Sequence, residues 1–358
     1  MSLRVLLAED STIFVNVLVD ILEAEAGLEI VAIADNGVDA VEYCDRHKPD
    51  IVLMDIHMPR LDGLSATEQI MARCPTPILV ITADPHRGGV DMSFRALSAG
   101  ALDLMAKPDT LPFPEADRAR LLRKIRLLSQ IPVVRHIRAR SRHPIATPVE
   151  RSAARGDGDA HCPHTVIGIV GSTGGPRALA KICTQLPEDF AATVVIVQHI
   201  TRGFSRHLAR WLDKHSPLKV YEASDGDLLK PGHIVIAPTE HHLVIDESLQ
   251  LAVRAGPPIG GHRPSGDRML MSLARHLSPG AIGVVLSGMG DDGAAGLTAL
   301  AQSGCHTLAQ DEATSVVYGM PRAAEARGIV EYSLPDAEIA PTLVRLVDEM
   351  STSTAKHR

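Results

Sequence analysis

Near-continuous apolar runs punctuate the chain: LRVLLAE, EIVAIA, DIVLMD and PILVITA in the first part, then TVIGIVG, ATVVIVQH, HIVIAP and AIGVVLSG in the second. Between them lie stretches with helical spacing, such as FVNVLVDILEAEA, LSATEQIMARC and PRALAKICTQL. Strands that are apolar on both faces, separated by helices, belong to parallel sheets covered on both sides. The pattern predicts two open, doubly wound α/β units, whose working residues should gather in the loops beyond the carboxyl ends of the strands.

The periodicity fails from about residue 129 to residue 163, where SQIPVVRHIRARSRHPIATPVERSAARGDGDAHCPH fills with Arg, Pro, Gly and Ser. This predicts a flexible linker over 128–163 between a first domain, 1–127, and a second, 164–350. Its arginines are accounted for by solvation and need no nucleic acid or membrane. A length of 358 residues accommodates two cores. With 45% apolar and 22% charged residues and a net charge of −7, the chain reads as a soluble globular protein with no general affinity for nucleic acid. MSLRVLLAEDSTIF is interrupted by Glu9 and Asp10 too early for a signal peptide or a membrane span, so a cytoplasmic protein is expected. The 5 cysteines are scattered and lack C-x-x-C spacing, which predicts reduced packing residues.

In the first domain the strand ends carry Glu9 and Asp10, Asp55, Thr82 and, after ALDLMA, Lys107. Each alone is explained as a cap or a surface charge, but together they converge on one sheet edge. Clustered carboxylates repel unless a cation is present, and hard oxygen ligands suit Mg²⁺. The set AEDS, VLMDIHMPRLDG, VITA and AKP resembles the receiver domain of two-component response regulators, a flavodoxin-like doubly wound parallel sheet. The resemblance implies that Asp55 accepts a phosphoryl group from a histidine kinase, that Glu9, Asp10 and Asp55 hold Mg²⁺, that Lys107 contacts the phosphoryl oxygens and that Thr82 switches. Leu104 departs from the pattern, since receivers carry Tyr or Phe three residues before the Lys.

Residues 164–350 lack a compact three-helix DNA-binding pattern, so the output domain is expected to be an enzyme. The stretch GSTGGPRAL, residues 171–179, follows a strand and opens a helix with Pro176 near its first position. It lacks the Lys of a P-loop, the spacing of a dinucleotide fingerprint and the first Gly of a nucleophile elbow. What remains is Ser172 at a strand-to-helix turn, flanked by glycines that allow close approach. Such a Ser is a nucleophile where a base and an orienting acid lie near, and otherwise an N-cap. His199 closes a long apolar strand and is the candidate base. His241 and His242 open a strand, and His207 falls within a helix-like stretch. The acid candidates, Asp291 and Asp292, follow AIGVVLSG, and spacing alone does not separate them. The order Ser, His, Asp is no obstacle, because triads are recognised by geometry.

GSTGGP, VIVQH, LSGMGDDGAAGL and LAQDEATSVVYGMPRAA resemble the catalytic domain of chemotaxis protein-glutamate methylesterases, the CheB family. The resemblance implies Ser172 as nucleophile, His199 as base, Asp292 as orienting acid, and Thr173 and Met289 at the oxyanion and active-site turns. It also implies a carboxylic ester hydrolase that demethylates methyl-accepting chemotaxis receptors, that deamidates receptor glutamines, that needs no cofactor for the ester step and that meets the membrane only through its receptors. The alternatives are a nucleotide- or DNA-linked regulator, disfavoured by the missing Lys and the acidic charge, and a non-catalytic scaffold.

Overall fold

The computed structural model describes residues 2–82, 90–108, 110, 112–133 and 164–356. Most of the expected linker, from residue 134 to residue 163, and Cys162 with it, lies outside the described residues. The first part runs β1 Leu3–Ala8, α1 Thr12–Glu23, β2 Leu28–Ala34, α2 Gly37–His47, β3 Ile51–Met54, α3 Gly63–Arg73, β4 Ile78–Thr82, α4 Val90–Ala99, β5 Asp103–Ala106 and α5 Glu115–Leu128. Its strands form one five-stranded sheet in the order β2-β1-β3-β4-β5, parallel throughout. Val5, Leu6, Leu7, Ile51, Val52 and Ile78 are buried on one face or the other, as expected of strands covered by helices on both sides. Local chemistry sets the helix starts: Ser11, Asn36 and Asp62 each accept a backbone N–H of the first turn, which satisfies a donor the helix leaves open.

The second part begins β6 Thr165–Gly171, α6 Gly175–Gln185, β7 Ala192–Gln198, α7 Ser205–Asp213, β8 Lys219–Glu222, β9 Asp227–Leu228 and β10 His233–Ile236. It continues β11 His242–Ile245, β12 Gln250–Arg254, α8 Gly266–Leu277, β13 Ala281–Val285, α9 Ala294–Gln302, β14 His306–Gln310, α10 Met320–Glu325, β15 Tyr332–Leu334 and α11 Asp336–Lys356. Seven strands form a parallel sheet in the order β15-β14-β13-β6-β7-β10-β8. The chain leaves β6 in one direction, toward β7, and returns to its other side through β13. That reversal creates a crevice beyond the carboxyl ends of β6 and β13, where ligands bind in such sheets.

Of a second, three-stranded antiparallel sheet, β11-β12-β9, the sequence announces only the strand that His241 and His242 open. Its strands are only 4, 5 and 2 residues long, too short to carry a period. Buried Leu243, Ile245 and Leu251 join the same apolar cluster as Met269, Leu270 and Leu273 of α8, so this small sheet holds α8 in place.

The two parts touch. Phe94 of α4 is fully buried and stacks on Trp211 of α7, ring centroids 5.3 Å apart with planes at 20°, and meets Phe204 edge-on at 6.5 Å. Val316 of the second part packs against the apolar core beneath the first sheet. The 4 described cysteines are buried and unpaired. Among the described residues no helix is long and apolar enough to cross a membrane.

Trp211 is the only tryptophan of the chain, and the contact with Phe94 helps to keep it 4% exposed. Phe94→Ala removes the stacked ring and should shift the tryptophan emission to the red and raise its quenching by acrylamide. Emission unchanged from the wild type would show that this stack does not shield Trp211.

Candidate functional site

At the carboxyl edge of the first sheet, Glu9, Asp10 and Asp55 bring one carboxylate oxygen each to within 4.8 Å of one another. Glu9 and Asp55 are 3% and 4% exposed. Burial raises the pKa of both carboxyls, and the charge of Asp55 pushes Glu9 up further. Lys107 lies between them, its Nζ 2.7 Å from Glu9 Oε2 and 3.2 Å from Asp55 Oδ2. It sits 4.7 Å above the ring of Phe14. One ammonium against three carboxylates leaves the cluster short of positive charge, which is the condition a divalent cation meets. Among the described residues the Thr82 hydroxyl is buried without a hydrogen-bond partner, so an unmet donor stands at the end of β4. Leu104 is buried in β5 and fills its place as an aliphatic packing residue.

In the second part the crevice between β6 and β13 collects the residues the sequence singled out. Ser172 is the first residue after β6, and its amide donates to Ser287 O at 3.0 Å. The turn closes through Gly175 N to Ser172 O, 2.9 Å, with Gly174 at φ 80°, a left-handed conformation that favours glycine. Gly288 faces this turn so closely that a Cβ there would stand 2.6 Å from Ser172 Cβ and 2.2 Å from Met320 Sδ. No larger residue fits without moving the Ser172 turn.

His199 follows β7, and its amide donates to Gly171 O at 2.9 Å. Its Nε2 lies 2.8 Å from Asp292 Oδ2. Because the ionised carboxylate accepts, Nε2 carries the proton, and Nδ1 holds the free lone pair. Nδ1 is buried and, among the described residues, has no hydrogen-bond partner, so the Ser172 hydroxyl does not engage it in this arrangement, as is common before substrate binds.

Asp292 is 4% exposed. Besides His199 it accepts the hydroxyl of Ser265 at 2.9 Å and the backbone amides of Gly266 at 2.6 Å and Asp267 at 3.0 Å. Burial raises its pKa, but the His199 bond and the amides of Asp267 and Gly266 outweigh that and lower it to about 2. It is therefore ionised throughout the physiological range. Asp291, by contrast, is exposed. Asp267 answers the arrangement in reverse: its carboxylate accepts the amides of Gly293 and Gly296, at 2.9 and 2.8 Å. Each acid thus caps the helix that the other introduces.

Thr173 and Met289 flank the Ser172 turn. Among the described residues, neither of their amides donates to another backbone group. The Thr173 hydroxyl reaches across to the first part and donates to Asp103 Oδ2 at 2.7 Å. Lys124 pairs with the same carboxylate.

Besides the Ser265–Asp267 donors, the sequence leaves Gln198 and His262 unmarked. Gln198 uses its Nε2 to hold Ser172 O at 2.7 Å and His199 O at 3.1 Å, tying the ends of β6 and β7 together. Its place beside His199 in VIVQH was the available signal. His262 stacks on the His199 ring with centroids 4.0 Å apart and planes at 12°, and no motif pointed to it. His242 is buried at the start of β11, where its ring accepts from Ser265 N at 3.2 Å.

Comparison with known proteins gives the same two-part division. Residues 5–112 match the response regulator receiver domain and residues 167–343 the CheB methylesterase family. The chain is 44% identical over 345 residues to protein-glutamate methylesterase/protein-glutamine glutaminase 2 of Anaeromyxobacter dehalogenans, covering 96% of this chain and 97% of that one. It is 39% identical over 358 residues to a protein of the same description, number 4, of Myxococcus xanthus, covering 99% and 97% of the two chains. The crystal structure of the CheB methylesterase catalytic domain of Thermotoga maritima superposes with a TM-score of 0.50 at 37% identity, covering 51% of this chain and 98% of that one. With both parts matched and relatives aligned over nearly its whole length, this chain belongs to the CheB family of methylesterases that carry a response regulator receiver domain.

Proposed function

We propose that this protein hydrolyses glutamate methyl esters, and deamidates glutamines, on methyl-accepting chemotaxis receptors, that Ser172, His199 and Asp292 carry the reaction, and that phosphorylation of Asp55 releases it. The observation that carries the reading is the His199–Asp292 pair, with Nδ1 of His199 buried and carrying the free lone pair, on a residue whose backbone amide is bonded to Gly171, the neighbour of Ser172. The domains concerned are a receiver over 1–127 and a catalytic domain over 164–350, joined by the linker over 128–163.

Ser172 Oγ attacks the ester carbonyl while its proton passes to His199 Nδ1. The tetrahedral oxyanion is met by the amides of Thr173 and Met289. As the intermediate collapses, the C–O bond to the methoxy group breaks and His199 returns the proton, so methanol leaves. Water then repeats the sequence against the acyl-enzyme and frees the glutamate carboxylate and Ser172. Asp292, ionised and held by three donors, keeps His199 in one tautomer and offsets its transient charge. A side-chain amide passes through the corresponding amino-bearing adduct to the same acyl-enzyme, with ammonia as leaving group.

In the receiver, Glu9, Asp10 and Asp55 would hold Mg²⁺, which supplies the positive charge that phosphoryl transfer to a carboxylate requires. A histidine kinase of the CheA type is the donor. Lys107 and Thr82 meet the new oxygens. Without phosphate, the receiver covers the catalytic crevice: Asp103 occupies the Thr173 hydroxyl, and Phe94 locks onto Trp211. A hydrogen bond to a charged group contributes roughly 1.5–3 kcal/mol, whereas moving the equilibrium from 1% to 99% open takes about 5.5 kcal/mol. A smaller activation than that is expected from a single phosphoryl group; a full shift would require the apolar contact to loosen as well as the Asp103 contact.

With methylated receptor as substrate and released methanol as the readout, Ser172→Ala should lower turnover on the order of 10⁶-fold. Near-normal release would remove the assignment. Asp292→Asn should cost on the order of 10⁴-fold, while Asp291→Asn, altering an exposed side chain, should cost little, and the opposite ranking would transfer the acid role to Asp291. A fragment beginning at His164 should exceed the unphosphorylated full chain in activity, and phosphorylation should bring the full chain close to it. Asp55→Asn should keep basal activity and lose all stimulation by a small phosphodonor with Mg²⁺. A fragment no faster than the resting full chain would refute occlusion.

A further inference from the structure

The turn before α8 holds a residue that the reaction above does not use. Ile259 and His262 exchange both backbone hydrogen bonds, at 3.0 and 2.9 Å, around Gly260 and Gly261. Both glycines have positive φ, 57° and 83°, the geometry of a two-residue hairpin turn. The turn fixes the backbone of His262, and three residues later the same segment supplies Ser265, Gly266 and Asp267, the donors that hold Asp292. One short stretch therefore grips the acid and lays a second imidazole flat on the base.

We propose that His262 is a positioning residue for the esterase reaction: its neutral ring, stacked on His199, fixes the plane in which Nε2 meets Asp292 and Nδ1 faces the nucleophile. The proposal rests on the esterase reading given above. Asp292 fixes only one atom of His199, about which the ring can still pivot, and Nδ1 has no partner of its own in the resting arrangement. A parallel ring 4.0 Å away opposes that tilting. When His199 takes the Ser172 proton, a neutral aromatic face beside it favours the cation, whereas a charged His262 would oppose it.

The surroundings keep His262 neutral. Burial lowers its pKa first, and the adjacent His199 lowers it further. Asp292 and Asp291 act in the opposite direction, and Arg123, from α5 of the receiver, adds to the lowering. The net shift is downward, so His262 gains its proton only below the usual range for histidine and is uncharged at neutral pH.

The test uses the full chain with acetyl phosphate and Mg²⁺, methylated receptor as substrate, and methanol release at saturating and limiting substrate across pH. His262→Ala should lower kcat about 10- to 100-fold with KM little changed, the scale of a misplaced catalytic group. His262→Phe restores a flat ring that cannot be charged and should recover most of kcat. On the acid side, the fall of kcat/KM should steepen beyond one proton in the wild type and stay at one proton in His262→Phe. A His262→Ala enzyme with wild-type kcat, or a His262→Phe enzyme as slow as His262→Ala, would overturn the positioning role. Identical acid limbs in wild type and His262→Phe would overturn the requirement for a neutral ring. Wild-type enzyme that releases no methanol even with phosphodonor would instead sink the esterase reading itself.

Discussion

The catalytic half is organised around a buried negative charge. An ionised carboxylate taken out of water is tolerated only when hydrogen bonds replace its hydration, and Asp292 obtains them from three donors in residues 265–267 and from His199. This requirement brings the start of α8 against the loop after β13 and draws His199 in from β7. Asp267 repays the arrangement by capping the start of α9. Helix ends that would otherwise leave amides unsatisfied become the frame of the site.

The position of Ser172 depends on close approach. Its turn lies against the loop after β13, with Gly288 leaving no room for a Cβ and Gln198 gripping its carbonyl from the neighbouring strand. Close packing of this kind transmits small displacements. The Thr173 hydroxyl is held by Asp103 of the receiver, so a shift of β5 acts one residue from Ser172. The receiver's acidic cluster lies at the carboxyl end of the same sheet from which Asp103 and Leu104 come. Between Asp55, just after β3, and Asp103, at the start of β5, lies only β4 of the same sheet, with aliphatic Leu104 in the position where receivers carry an aromatic ring.

Strand-end residues were legible in the sequence because a buried parallel strand announces itself by composition, and the chain turns polar where the strand ends. Glu9, Asp10, Asp55, Thr82 and Lys107 were found that way, as were Ser172 and His199. Asp291 and Asp292 could not be separated by the same rule, since both follow β13 and only the local turn decides which side chain points inward. His262 and the Ser265–Asp267 cradle lie in a loop between a short antiparallel sheet and a helix, where neither period nor strand end marks a residue.

The amino-acid pattern by itself determined two doubly wound units, their strand ends and a family resemblance, because burial on both faces leaves a one-dimensional signature. Tertiary structure alone decided what those ends meet. The stack of His262 on His199, the amides around Asp292 and the contact of Phe94 with Trp211 each join residues far apart in the chain. Such pairings depend on strand order and helix placement in three dimensions, and no local spacing encodes them.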